Sequence, residues 1–379
     1  MRDFYREFKL FLSSPWRVVL FLIFPILITV YYGLVFSDGV IEQGRIVIVD
    51  RDQTAVSRNL VQQFRDNKGF RVVQDADSVA TALTLVWEEK ADMVLAVPDN
   101  FSRDIKKGKS PSLLVIPNAA NMAISSNAMK RASEIILTFN GGLEIKKLEA
   151  KGYNSYQAEK IALPLQLHYR QIRNPSGNFY DFLVWGLIGA IGHFPIMVFS
   201  ATALDRKKEE IGHKKFLFRF LVYVLFGMGE LLLSLLVGVA FFPMTFFGGL
   251  VSVIYLVLLV GLFAMAVTAL GMLLSLLVPD RAMASQAASI VALPALILSG
   301  YTWPMSGFPW FIRLLGCLEP LTYFADPLRR LVLTGRVEYD YWYNCAILLI
   351  MFLILFGTIL VVLGKGKAVK MWHKHSFSH

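Results

Sequence analysis

Few side chains in this sequence are of types that carry out chemistry, and they do not gather into a catalytic set. Two stand out by position. His193 and Glu230 each lie inside a long apolar run, with no charged residue within two helical turns. At 1.5 Å of rise per residue, each would sit about 17 to 21 Å from the same end of its helix, so adjacent helices would place them at similar depth. An ionisable group inside a membrane helix is a functional position by default. A structural hydrogen bond between the two helices is the plainer reading of the same pair. Asp50, Asp52, Asp75 and Asp77 are a conceivable cation site, but aspartates at strand ends mostly cap turns. The tail histidines His373, His375 and His379 read as a polar terminus rather than a metal site. The long polar stretch carries one histidine, His168, and no cysteine. No metal, catalytic or cofactor site is expected in this chain. Its 379 residues also contain no G-x-x-x-x-G-K-[ST] run to cradle nucleotide phosphates.

The elements that would position these groups are apolar. The chain is 55% hydrophobic and only 17% charged, a balance that points to a membrane protein. Its net charge of +10 comes from lysines and arginines beside the apolar runs. The positive-inside rule accounts for that without a nucleic-acid partner. Residues 1–14 set Arg2, Arg6 and Lys9 against Phe4, Tyr5, Phe8 and Phe11, a basic amphipathic helix lying on the membrane surface. Spans follow at 16–36, 182–204, 216–242 and 250–278, then from about Met283, and at 342–363, each long enough to cross. No small-residue cleavage site follows the first, which reads as a retained anchor bent at Pro25. In the fifth, Ala284, Ala288 and Ala292 recur every four residues, a spacing that lets helix backbones approach. Six spans put both termini on one side, and the basic loop at 205–216 and the lysines at 365, 367, 370 and 374 make that side cytoplasmic. Cys317 and Cys345 lie in or near the spans, which excludes a disulfide framework.

Residues 37–175 are different material. Strands are expected at 45–50, 70–74, 91–97 and 112–116, with helices at 54–67 and 78–89 between them and a long helix at 120–151. Alternation of this kind gives a small α/β domain. The expected division is 1–36, a surface helix and first span; 37–175, an inserted extracytoplasmic domain; and 176–379, the remaining five spans.

The stretch from Ser299 to Gly335 cannot be a plain span, because Pro304, Pro309, Pro320 and Pro327 each remove a backbone donor. Two amphipathic pieces, 310–318 and 321–333, suit a broken helix entering the bilayer from one side or lying in its interface. Tyr301, Trp303, Trp310 and Tyr323 are expected at headgroup level. The second piece carries Asp326, Arg329 and Arg330 opposite Leu321, Phe324, Leu328, Leu331 and Val332.

A small-residue pair Ser299-Gly300, then Pro304, Pro309-Trp310, Glu319-Pro320-Leu321-Thr322-Tyr323, Arg329 and Gly335 resembles the region before the last helix of type-2 ABC exporter permeases. Glu319 stands where members of that family more often carry Asn. The loop Asp205 to Phe216 resembles the family's coupling helix, with Asp205, Arg206, Glu209, Glu210 and Gly212 as the matching or flanking positions. The runs VDRDQTAVSRNL and ADMVLAVPDNFSRDIKKG are similar to the extracytoplasmic domain of its drug-export branch. This resemblance implies an α-helical polytopic membrane protein of six transmembrane helices, with the inserted α/β domain and a re-entrant helical element before the last helix. It implies a permease subunit exporting a hydrophobic or amphipathic substrate across the bacterial inner membrane, among membrane lipids. Its partners would be an ABC ATPase subunit, which binds the ATP and magnesium, a second permease copy or sister permease, and a periplasmic adaptor. Two alternatives are an ion-coupled secondary transporter and a membrane-anchored sensor or assembly protein. The first would need several intramembrane carboxylates or inverted repeats, and the second would not need six spans.

Overall fold

A computed structural model of the chain describes residues 2–35, 43–120, 122–165, 179–204, 211–242, 246, 248–278 and 280–376. The expected loop residues Asp205, Arg206, Glu209 and Glu210, and His168, lie outside these. The chain forms two compact units, one of Val40–Arg170 and one of Met1–Gly39 with Gln171–His379.

The first unit is built on a four-stranded sheet of order β2-β1-β3-β4, with β1 Gly44–Asp50, β2 Phe70–Asp75, β3 Met93–Val97 and β4 Leu114–Pro117. β1 pairs in parallel with β2 and β3, and β4 runs antiparallel to β3. The two central strands read as unbroken apolar runs because both of their faces are covered. Ile46, Ile48, Met93 and Leu95 pack on one face with Leu60 and Phe64 of the helix Ala55–Asp66 and with Ala132 of the long helix Met122–Ala150. Val47, Val49, Val94 and Ala96 pack on the other with Ala82 and Val86 of the helix Val79–Trp87. Thr54 and Ser57 form a reciprocal capping box at the start of Ala55–Asp66. Asp50 accepts from the backbone of Asp52 and Gln53 and from the Ser57 hydroxyl, and Asp75 pairs with Arg65. These aspartates serve turns, caps and ion pairs.

At the opposite end of β1, the Arg45 guanidinium donates to both oxygens of Asp92, at 2.9 and 3.0 Å, and the Arg45 main-chain N–H donates at 2.9 Å. Burial alone would raise the Asp92 carboxyl, but these hydrogen bonds and the guanidinium charge outweigh it and hold the group below the usual carboxylate range.

Among its described residues the second unit holds six helices long and apolar enough to cross a membrane: Pro15–Val35, Asp181–Ala201, His213–Phe241, Leu250–Leu277, Arg281–Leu298 and Tyr339–Gly364, called spans one to six. The surface helix Arg2–Leu12 precedes them. Span one widens into a π-helical turn at Val19–Ile23, just ahead of Pro25, which has no N–H to offer the carbonyl four residues back. Span five is interrupted at Pro294, between Arg281–Ala292 and Ala295–Leu298.

Span two lies against spans three, four and five. Small residues let it do so. A Cβ at Gly271 of span four would come within 2.6 Å of the Met197 carbonyl oxygen of span two. Ala284, Ala288 and Ala292 form the buried face of span five.

Candidate functional site

The broken stretch after span five folds into short pieces set by its prolines. Gly300, at φ +79°, turns the chain out of span five. A 3₁₀ turn Met305–Gly307 follows Pro304, the helix Trp310–Cys317 starts after Pro309, and a second 3₁₀ turn, Pro320–Tyr323, starts on Pro320. The helix Ala325–Thr334 then ends on Gly335 at φ +66°, a left-handed cap. A Cβ at Gly316 would lie 2.5 Å from the Leu298 carbonyl, so Trp310–Cys317 packs directly back on the end of span five.

Carbonyls freed by this folding find side-chain donors within the stretch. Arg313 donates to the carbonyls of Met305, Ser306 and Phe308 at 3.2 to 3.3 Å. Thr322 donates to Gly316 at 2.6 Å and Tyr323 to Cys317 at 2.9 Å. Irregular backbone beside lipid needs such partners.

This stretch is seated on span two through two glycines, Gly186 and Gly189, and a third three positions on, Gly192, seats span three. A Cβ at Gly186 would overlap the Tyr301 ring, and one at Gly189 would come within 2.9 Å of Phe324. Gly192 faces the other way in sequence, towards Leu231 and Glu230 of span three, with Glu230 Oε2 only 2.6 Å from where its Cβ would be. The Tyr301 hydroxyl donates to the Phe182 carbonyl. Phe324 stacks on Phe263 of span four at 4.1 Å between ring centroids. The Arg329 guanidinium lies 4.6 Å from the ring centroids of both Phe182 and Tyr301. Asp326 pairs with Arg329 and Arg330, and Arg330 also meets Asp340 of span six.

Two expectations change here. His193 does not pair with Glu230. Its Nε2 lies 3.0 Å from Glu319 Oε1, with both side chains closed to solvent, while Glu230 accepts from Ser234 on its own helix at 3.3 Å. Similar depth was necessary but not sufficient, because adjacent residues on a helix point about 100° apart. Gly192 faces span three and His193 faces Phe263 and Glu319. Tyr301 is not a headgroup aromatic but is 96% buried in the core, unlike Trp303 and Trp310, which are exposed. The polar face of Ala325–Thr334 is also largely covered, since Arg329 and Arg330 pack on rings and carboxylates.

The other end of span two is held as firmly. Ser275 of span four donates to the Leu204 carbonyl at 2.8 Å and accepts from the Leu204 N–H at 3.0 Å. Arg219 of span three donates to the Ala203 carbonyl at 2.8 Å, and to both oxygens of Glu7 at 2.9 and 3.2 Å. That arginine ties the surface helix to the residues just before the 205–210 segment. Beyond the segment Ile211 is buried and Gly212 is the N-terminal cap of span three. Glu7 and Arg219 were not singled out in the sequence. Each sits beside residues that give no local sign of its burial, since Arg6 and Lys9 near Glu7 and His213 and Lys214 near Arg219 are not buried. The Gly186-x-x-Gly189-x-x-Gly192 spacing was a readable signal of close approach. Among the described residues no group of three or more His, Cys, Asp or Glu is placed to hold a metal ion.

Comparison with known proteins agrees with this architecture. The sequence model of a family described as "ABC-2 family transporter protein" matches residues 16–363. A protein of Escherichia coli K12, described as "Probable multidrug ABC transporter permease YbhR", is 22% identical over 339 residues, covering 86% of this chain and 88% of its own length. A second from the same organism, "Probable multidrug ABC transporter permease YbhS", is 27% identical over 176 residues, covering 43% of this chain and 46% of its own.

Proposed function

Because the chain belongs to the ABC-2 family of transporter proteins, we propose that it is the permease subunit of an ABC exporter that moves a hydrophobic or amphipathic substrate outward. ATP and magnesium are bound and turned over by a separate ATPase subunit, and a second permease, identical or homologous, completes the pathway. In this reading both termini and the 205–216 loop are cytoplasmic, the Val40–Arg170 unit is extracytoplasmic, and the membrane is the bacterial inner membrane. A periplasmic adaptor would dock on the extracytoplasmic unit. Drug-like compounds are the substrate class suggested by the descriptions of the E. coli relatives.

The observation that carries the reading is that span two is gripped at both ends. At one end Arg219 and Ser275 hold Ala203 and Leu204, immediately before the 205–210 segment. Along its length and at the other end, Tyr301, Phe324 and Glu319 of the broken element seat on it. Closure of the ATPase displaces the loop, and the helix transfers that displacement to the broken element. A packed helix transmits motion because interiors are nearly incompressible. The broken element, built of short pieces with separate caps, is the part able to rearrange and open an exit.

The test is in the loop. Replacing Glu209 and Glu210 with Ala is expected to lower ATP hydrolysis by the assembled transporter without lowering the amount of chain inserted in the membrane. Undiminished hydrolysis by that variant would remove the loop from the coupling path.

A further inference from the structure

Where the surface helix meets the ends of the spans, a cleft of about 390 Å³ opens. Its walls come from five places in the sequence, one of them Thr202 and Ala203 just after span two. Ser13 and Ser14 follow the surface helix, Arg17 lies in the first turn of span one, Arg219 and Tyr223 are on span three, and Arg281 opens span five. Three guanidinium groups therefore face one space. Glu7 is the one carboxylate among the described lining residues, and both of its oxygens accept from Arg219.

We propose that this cleft holds the phosphate of a membrane lipid headgroup. The chemistry fits. The Arg219 fork is taken up by Glu7 and the Ala203 carbonyl, so Arg17 and Arg281 are the guanidinium groups that would meet the oxygens of a phosphate diester, which such groups pair with bidentately. The Ser14 hydroxyl and the Tyr223 phenol add donors of the kind that orient such a group, while the Ser13 hydroxyl donates to the Leu10 carbonyl. The site is built rather than incidental: Arg219 and Tyr223 are more than nine-tenths buried, and Arg17 is steadied over the Phe11 ring at 5.8 Å.

The position selects a lipid over a free anion. An amphipathic helix lies at the boundary between headgroups and acyl chains, and the first turns of spans one and five enter the bilayer at that level. Basic pockets between transmembrane helices are headgroup sites by the same electrostatics. Phe11 and Leu10 give the cleft an apolar wall, which a lipid glycerol would cover and a free phosphate would leave wet. A lipid here would join the surface helix, span one, span three and span five. The inference rests on the membrane reading of the spans and not on the transport reading, so it stands or falls without an ATPase.

The test uses the purified full chain in detergent carrying phosphatidylglycerol, with bound lipid counted by native mass spectrometry. One phosphatidylglycerol per chain is expected to survive delipidation, and phosphatidylcholine is not. The double variant Arg17→Gln/Arg281→Gln should lose that lipid at least tenfold more readily while keeping its circular dichroism spectrum. A control, Arg6→Gln/Lys9→Gln, removes the same charge from the surface helix outside the cleft and should retain the lipid. Equal retention of phosphatidylcholine, retention by the cleft variant, or equal loss in the control would overturn the assignment. So would displacement of the lipid by millimolar inorganic phosphate alone, which would mark a free-anion site. If the cleft variant does not fold, Arg281→Gln alone, an exposed position, gives the same comparison.

Discussion

Glu319, in the turn between two short helical pieces, places Oε1 3.0 Å from Nε2 of His193 in the middle of span two. The approach is close but poorly aligned, so neither atom gains a hydrogen bond of normal geometry. Both groups are nonetheless closed to solvent, and removing the carboxylate would take away the polar group that faces the buried imidazole. Glu319→Ala is therefore expected to destabilise the chain by about 1–3 kcal/mol, read as a lowered Tm in detergent. Glu319→Gln, which keeps the shape and a polar contact, should lose less than half as much. An Ala variant as stable as the Gln variant would show that the contact does not hold the broken element to span two.

The glycine seats make a second, purely steric prediction. A methyl group at Gly186 has no room beside the Tyr301 ring. Gly186→Ala would push Tyr301 off the Phe182 carbonyl and disturb the Arg329 stack, at a cost of about 1–3 kcal/mol, typical of overpacking. Gly229→Ala is the matched control, because nothing lies within 4 Å of its added carbon. The control should be neutral or slightly stabilising, given the better helix propensity of Ala. Equal effects of the two substitutions in thermal unfolding would contradict the packing described here.

Acid should act on the α/β unit through Asp92. Its carboxyl is held below the ordinary range by Arg45, so it is a group whose folded pKa is depressed. The stability it contributes is present above the unfolded carboxylate pKa, near 4, and is lost as pH falls through the lower folded value. Asp92→Asn is expected to cost about 1 kcal/mol at pH 7, and the gap from the parent should shrink as pH is taken below 4. Hydrogen exchange in peptides spanning β1 and β3, compared between parent and variant at each pH, reads this directly. A gap that persists unchanged into acid would mean that the Arg45–Asp92 charge pair contributes nothing.

How far the sequence could be read depended on how local the signal was. The strands β1 and β3 were legible because both faces of each are covered, so every residue in the run is apolar. The spans were legible because roughly 20 apolar residues have no other common use. The prolines marked where the broken element would break, and Pro309 and Pro320 indeed start its pieces. The two short helices Phe101–Lys106 and Ser155–Ala162 were not anticipated, since each is too short for periodicity to show.

Partnerships were the part hidden. His193 and Glu230 are both buried, yet which one faced which helix turned on rotation about the helix axis, and no periodicity reports that. Arg329 was placed on the polar side of an amphipathic piece, and its packing on Phe182 and Tyr301, residues 147 and 28 positions away, was not foreseen. Glu7 and Arg219 are separated by 212 positions, and only the folded bundle brings them together.

The central claim, that this chain is the permease of an ATP-driven exporter, is tested most directly by what it carries out of the membrane. The full chain, affinity-tagged at its C-terminus and purified from its own membrane in mild detergent, would be analysed by quantitative mass spectrometry. The account predicts a chain bearing a G-x-x-x-x-G-K-[ST] phosphate loop, present at about one copy per permease and depleted in the Glu209→Ala/Glu210→Ala variant. A permease that purifies intact, in amounts equal to that variant, with no such chain at comparable abundance would contradict it.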